Sequence, residues 1–439
     1  MRNLGDHPKS SSPSKIATKM KTTDPFGVPT DAFTRGKRLI ESILQKMHQI
    51  NKWQRDFLSE LFVLCLGLSG RFNFMQMGRE GRYHEQTYRN QFSQSFDFMQ
   101  MNKELISTVG SGEYILAFDP TFIKKSGKQT PGIGYFYSGS SDQYKRGLEL
   151  GGLAAVDLNQ RTAYHLEAVQ SPSKENQQND RQGSLVDHYA EVVIDQAERA
   201  ESISTILAVD GYFAKTNFIN PVCEQTNLSV VCLLRRDADL RYLYNGPPKE
   251  GPGHPKYYDG KVDVHNIDKR RIRLKYSDDE LNIYGACLNS KSMKRNIKVA
   301  YTEFKNKDGQ VVSTKMFFST DLEMSAVDIV RYYRMRFQIE FLYRDAKQHT
   351  GLEHCQARSE EKLHFHFNTS LTSVSLGKVL QRQDCEPCQS ISLSVADIKT
   401  ELANRNMIYR IISMYDLNPN LLKNNSKYQQ LLNFGKRAA

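Results

Sequence analysis

Two apolar runs, each closing on an aspartate, constrain this chain more than any other feature. Tyr114-Ile-Leu-Ala-Phe118 runs into Asp119, and Ile203 to Val209 runs into Asp210. Continuous apolar segments of this length read as strands buried on both faces, as in sheets covered by helices. Leu228 to Leu234 is a third such strand. Gly132 to Tyr137, Leu148 to Leu158 and Ala163 to Val169 add strand-like segments, and Leu185 to Ala200 is an amphipathic helix. Adjacent hairpins, then a helix, then further strands predict an α/β fold, a mixed sheet flanked by helices.

On either side of this core the texture changes. Residues 1–30 are rich in Ser, Thr, Lys and Pro and read as a disordered basic arm. Residues 31–108 read as an N-terminal helical DNA-binding domain. Leu39, Ile43, Leu44 and Met47 recur at helical spacing, and Phe57, Leu58, Leu61, Phe62 and Leu64 continue it. A third helical stretch is expected from Tyr83 to Leu105, with Arg82, Tyr88, Arg89 and Gln91 on its polar face. Residues 109–235 form the first part of the core. Residues 236–317 read as a β-rich insertion: Pro247, Pro248, Pro252 and Pro255 sit among glycines in a loop. Strands follow at Arg271 to Tyr276, Asn282 to Leu288, Ile297 to Phe304 and Val311 to Ser319, with Asp308-Gly309 as a hairpin turn. Residues 318–356 complete the core with one long helix from Ala326 to about Gln348. Residues 357–439 are expected to be helical.

The chain carries 60 Lys and Arg against 49 Asp and Glu, a net charge of +11 over 439 residues. The excess is concentrated: +5 over residues 1–60, +6 over 269–298 and +4 over the last 39. Three basic regions suit a long polyanion such as DNA, although each can also be a solvated face. The seven cysteines are scattered, so no disulfide framework is implied. No apolar leader opens the chain, and the longest apolar run, Leu61 to Leu68, is too short to span a membrane. A soluble intracellular protein is expected.

In sheets with parallel strands, side chains at the carboxyl ends gather at one edge, where sites form. Two carboxylates there repel each other unless a cation lies between them. Magnesium takes carboxylate oxygens, and two such ions about 4 Å apart can serve both the attacking and the leaving oxygen of phosphoryl transfer. Taken singly, either aspartate is also an ordinary start to a turn. The segment from Arg331 to Lys347 supplies a third acid. With Tyr333 at zero and about 100° per residue, Arg336, Glu340 and Lys347 fall near −60°, −20° and −40°. Met335, Ile339, Leu342 and Ala346 form the opposite, core-facing stripe. A phenol, an acid and two cations therefore share one face, suited to metal and phosphates or to plain salt bridges.

Tyr333, Arg336, Glu340 and Lys347 reproduce the spacing of the Y-(2)-R-(3)-E-(6)-K signature. On these residues the chain resembles the bacterial insertion-sequence transposases of the cut-and-paste DDE type. Asp119-Pro-Thr121 looks like that family's D-x-T, and Asp210-Gly-Tyr-Phe213 like its D-G-x-F. The acids are separated by 91 residues (119 to 210) and 130 residues (210 to 340), the second gap holding the insertion. The likeness covers roughly residues 110–355. It implies an RNase H-like core whose catalytic and metal-binding triad is Asp119, Asp210 and Glu340, with two Mg2+ ions, for which Mn2+ can substitute. It also implies a homodimer on double-stranded DNA, engaging terminal inverted repeats and a target, in a cytoplasmic, nucleoid-associated protein. Arg336 and Lys347 are then expected at DNA phosphates, with Tyr333 positioning the strand. The activity implied is cleavage of element ends and joining of their 3′-hydroxyls to target DNA. The alternatives are an RNase H-like nuclease without strand transfer and a catalytically silent DNA-binding derivative.

Some relatives excise through a DNA hairpin and hold a flipped base on a tryptophan of the insertion. The single tryptophan here is Trp53, in the N-terminal part, so a Tyr or Phe of the insertion, such as Tyr284 or Tyr301, is the expected substitute. Cys385-Glu-Pro-Cys388 with His364 and His366 is a weak zinc pattern, because a helical H-x-H turns its rings apart. Lys124-Lys125 and Ser126-Gly-Lys128 lack phosphate-loop spacing and read as a solvated or DNA-facing hairpin. Asp142, Glu149 and Asp157 compete with Asp119 as first acid, but none follows a buried strand so cleanly.

Overall fold

The computed structural model describes residues 32–68, 70–127, 129–139, 141–173, 183–247, 254–383, 394–416 and 426–437. The basic arm expected over 1–30, Pro248, Pro252, Lys128, Cys385 and Cys388 lie outside these residues. Helices α1 (Ala32–Lys46), α2 (Lys52–Gly67), α3 (Phe74–Glu80), α4 (Glu85–Gln91) and α5 (Phe98–Ser107) open the chain. Asn51 and Gln54 cap the start of α2 reciprocally, satisfying two backbone donors. The stretch expected to be helical from Tyr83 to Leu105 is two helices. The chain turns between them, and Asp97 then caps α5 by accepting the Gln100 N–H at 2.9 Å. Tyr88, expected on the polar face, is fully buried and donates its hydroxyl to Glu60 at 2.8 Å. A phenol can be buried when its hydroxyl finds an acceptor, which periodicity alone does not reveal.

The central strands are β1 (Tyr114–Lys124), β2 (Gly134–Ser138), β3 (Gln143–Asp157) and β4 (Thr162–Gln170). Then come α6 (Leu185–Ala200), β5 (Ile206–Val209), α7 (Thr216–Gln225) and β6 (Ser229–Leu233). β1 does not end at Asp119 as expected. β3 runs antiparallel beside it from Tyr114↔Asp157 to Lys124↔Gly147, so its hydrogen-bond ladder continues to Lys124. Its parallel pairing is confined to Leu116–Phe118 against Leu207–Val209 of β5. β6 then pairs parallel with β5.

Strands β7 (Leu240–Leu243), β8 (Tyr258–Lys261), β9 (Arg273–Ser277), β10 (Leu281–Ser290), β11 (Arg295–Lys305) and β12 (Val311–Ser319) follow. Gly309 turns the β11–β12 hairpin with φ +76°, a conformation open to glycine. Phe317–Ser319 of β12 pair antiparallel with Val231–Leu233 of β6. The strands of this region therefore extend the central sheet, whose order is β2-β3-β1-β5-β6-β12-β11-β10-β7-β8, with β4 on β3 and β9 on β10. The short β7 and β8 carry too few residues for alternation to announce them.

The chain closes with α8 (Ala326–Arg336), α9 (Gln338–His349), α10 (Glu360–Gln383), α11 (Val395–Met414) and α12 (Ser426–Leu432). The single helix expected over Ala326–Gln348 is broken at Phe337. There the Glu340 N–H bonds to Phe337 O at 3.1 Å, an i→i−3 step that tightens the turn. No Pro or Gly marks the break. Helices α5 and α10 pack on β4, while α1, α2 and α11 pack on α10, so both ends of the chain build one helical layer. Helices α6 and α7 pack together, on β3 and β6. The fold is a mixed α/β sheet with flanking helices around a continuous apolar core. Among the described residues, no helix is long and apolar enough to cross a membrane.

Candidate active site

The last parallel pair of β1 and β5 is Phe118↔Val209, so Asp119 and Asp210 emerge side by side, each one residue further on. Glu340 lies in the first turn of α9, where the helix dipole favours negative charge. One turn along α9, Tyr343 donates its hydroxyl to the backbone oxygen of Asp119 at 2.6 Å and fixes the helix to β1. Gly152 faces Asp119 across the β1–β3 ladder. A Cβ there would stand 2.3 Å from the Tyr343 hydroxyl, so the close approach of α9 requires glycine.

Arg336 joins the three acids. Its guanidinium lies 3.1 Å from Glu340, 3.7 Å from Asp119 and 3.9 Å from Asp210. The Arg336 side chain is almost wholly buried, and among the described residues its Nε has no hydrogen-bond partner. Tyr333 donates its hydroxyl to Asp210 at 3.0 Å. Burial, then the Asp210 charge, push the Tyr333 phenol well above its ordinary range, so it stays a donor. Burial pushes the Asp119 carboxyl up to about 7. Arg336 opposes that shift, while Glu340, Asp210 and Glu149 add to it. Lys347 stands one step along β1, donating to Thr121 Oγ1 at 3.0 Å and to Phe122 O at 2.8 Å. An ammonium has three donors, so one remains for an acceptor in the cleft. All six residues singled out in the sequence therefore gather at one wall, five around shared carboxylates and Lys347 beside them.

The acids open into a cleft of about 2720 Å³. Small-molecule sites are usually about 300–1,000 Å³, so this volume suits a polymer. Among the described residues, eleven Lys and Arg side chains line it against five carboxylates. Asp119, Asp210, Glu340 and Glu149 are four of the five, and the cations include Lys124, Lys125, Arg146 and Arg358. An acidic focus within a basic trough is the charge pattern that phosphodiester chemistry needs.

Glu149, a rival to Asp119 by sequence, is instead its neighbour in the cleft. It is buried beside the triad and accepts a hydrogen bond from Tyr189, and burial raises its pKa. A single carboxylate inside the apolar run Leu148 to Val156 was its sequence signal. Asp157 lies at the other end of β3, bonded to Ser111, and Asp142 accepts from Tyr137 in the β2–β3 turn. His366 is buried against Gly351 O at 2.9 Å, and His364 pairs with Glu167 at 3.6 Å. Tyr284 and Tyr301 are both buried, and the Tyr284 hydroxyl bonds to Glu303.

Three carboxylates of hard oxygen donors fit a divalent cation in kind. The Arg336 guanidinium lies among them, and within the described residues no three His, Cys, Asp or Glu side chains close on one point. The transposase DDE domain family matches residues 110–376, more than half of the chain, and the chain belongs to that family. The match opens just before β1 and closes within α10, so it spans all three acids. Proteins of this family act on DNA and generally use divalent metal ions. No curated protein matches the chain.

Proposed function

We propose that this chain is an insertion-sequence transposase that binds element ends as a homodimer, cleaves them and joins the freed 3′-hydroxyls to target DNA. The observation that carries the reading is the convergence of Asp119, Asp210 and Glu340, from three distant segments, on one guanidinium, with all three acids lining a basic cleft. Asp119, Asp210 and Glu340 are the metal-holding residues, on an RNase H-like core. Two Mg2+ ions bound there would supply an activated attacking oxygen and a stabilised leaving oxygen.

The chain's own residues position the reactants. Tyr343 and Gly152 lock α9 to β1 and set the distance from Glu340 to Asp119. Tyr333 orients Asp210 by its hydrogen bond and is no nucleophile. Arg336 neutralises the acids in the metal-free protein. Its fork of donors is well shaped for a DNA phosphate, and cations held by the three acids would take over its neutralising role. Lys347 meets a phosphate with its remaining donor. Residues 31–108 serve as the DNA-binding domain and 236–317 as the β-rich insertion, with catalytic parts at 109–235 and 318–356. Catalysis then rests on positioning and charge stabilisation.

Strand transfer separates this reading from a nuclease on the same core. Purified protein is given a pre-cleaved element end with a 3′-hydroxyl, a supercoiled plasmid and Mg2+. Covalent joining of the end to the plasmid supports a transposase. Plasmid nicking with no joined product leaves a nuclease.

A further inference from the structure

The cleft carries aromatic surface that the acids do not use. On β2, Phe136 is buried, while its neighbours Tyr135 and Tyr137 project from the other face and line the cleft. Tyr137 lies directly opposite Tyr144 of β3, and their rings meet edge to face at 5.9 Å. Tyr144 is 66% exposed and Tyr137 is 48% exposed. The Tyr137 hydroxyl is tied to Asp142, which fixes the ring. Gln143 to Arg146 are all exposed, so this end of the hairpin stands clear of the body. Tyr212, two residues from Asp210, faces the same cleft with the Lys215 ammonium 3.8 Å from its ring centre.

Exposed rings in a trough of cations call for a partner that is both flat and anionic. Arg146, opposite Tyr135 on the same face of the hairpin, and Lys215 beside Tyr212 line the same cleft and can meet phosphates. In an intact duplex the base faces are stacked on one another and offer a ring only their edges. An unpaired base offers a whole face, and base–aromatic stacking tolerates any sequence. We propose that Tyr137 and Tyr144 form a stacking platform for an unpaired nucleotide of the DNA strand whose phosphate lies at the acids. This rests on reading the cleft as a DNA site. The platform makes locally opened DNA, rather than perfect duplex, the preferred ligand.

The test uses the full chain without divalent metal and two short duplexes of one sequence. One is perfectly paired, and the other carries a single bulged fluorescent adenine analogue. The wild type is expected to bind the bulged DNA more tightly and to change the analogue's fluorescence. The double variant Tyr137→Leu/Tyr144→Leu should lose about tenfold in affinity for bulged DNA and little for paired DNA. Tyr137→Phe/Tyr144→Phe, which keeps both rings, should match the wild type. A wild type that binds both duplexes equally, or a leucine variant that holds the bulge as well as the wild type, overturns the platform and leaves the DNA reading standing. Binding of neither duplex by a folded wild type overturns both. A leucine variant of altered mass in sedimentation shows the rings packing against a second copy, and also overturns the platform.

Discussion

Asp119 and Asp157 lie on the same pair of strands and are treated very differently. Asp157, fully buried where β3 ends against Tyr114, accepts from the N–H and hydroxyl of Ser111, both at 2.8 Å, and from the Asn159 and Gln160 N–H groups. These are fixed donors, two from Ser111 just before β1 and two from the turn that follows β3. Asp119 has no hydrogen bond to its carboxylate among the described residues, and its counter-charge is Arg336 at 3.7 Å. Burial alone therefore does not mark the functional acid. The mark is a buried carboxylate whose compensation comes from a group able to leave. A fully satisfied acid holds structure, and a poised one can exchange its partner for a cation.

The largest effect expected of this contrast is on activity. Asp119→Asn should lower metal-dependent DNA cleavage by at least about a hundredfold, the scale of losing one charge-stabilising group. Its melting temperature should be equal to or above that of the wild type, because a buried charge is removed. Asp157→Ala should do the reverse. It strands buried N–H donors, so chemical denaturation should show a loss of about 2–3 kcal/mol, with cleavage per folded molecule retained. Equal stability losses in the two variants would erase the distinction.

Arg336→Met sharpens it further. Without metal the variant should lose roughly 1–2 kcal/mol, less than for a fully buried pair because Asp210 and Glu340 are part-exposed. Calorimetry should find Mn2+ bound more tightly by this variant than by the wild type. Unchanged Mn2+ affinity would mean that the guanidinium does not stand in the cations' place.

The smallest effect is on pH. The folded Asp119 carboxyl is raised to about 7, above its unfolded value, so folding takes up a proton between the ordinary carboxylate range and that pH. The associated stability is present at acid pH and is lost as pH rises through about 7. In metal-free protein, the stability of wild type relative to Asp119→Asn should decline across that window. A flat difference would contradict the shift.

Much of this was legible in the sequence, because strong periodicity and fixed spacing survive folding. The apolar runs before Asp119 and Asp210, helix α6 and the hairpin at Gly309 lie where pattern places them. The face shared by Tyr333, Arg336 and Glu340 is the face that meets the acids. What pattern missed depends on partners far away in the chain. β1 runs past Asp119 because β3 lies beside it, and Tyr88 is buried because Glu60 receives its hydroxyl. The break at Phe337 has no local breaker residue, and Glu149 became part of the site only through the register of β3.

The most direct test of the central claim is cleavage of a linear DNA carrying a candidate element end, with Mg2+, by wild type and by Glu340→Gln. That substitution keeps size and helix and removes one charge from the triad. The account predicts cleavage at the element boundary by the wild type and none by the variant. Equal cleavage by both would take Glu340 out of the active site and contradict the assignment of the three acids.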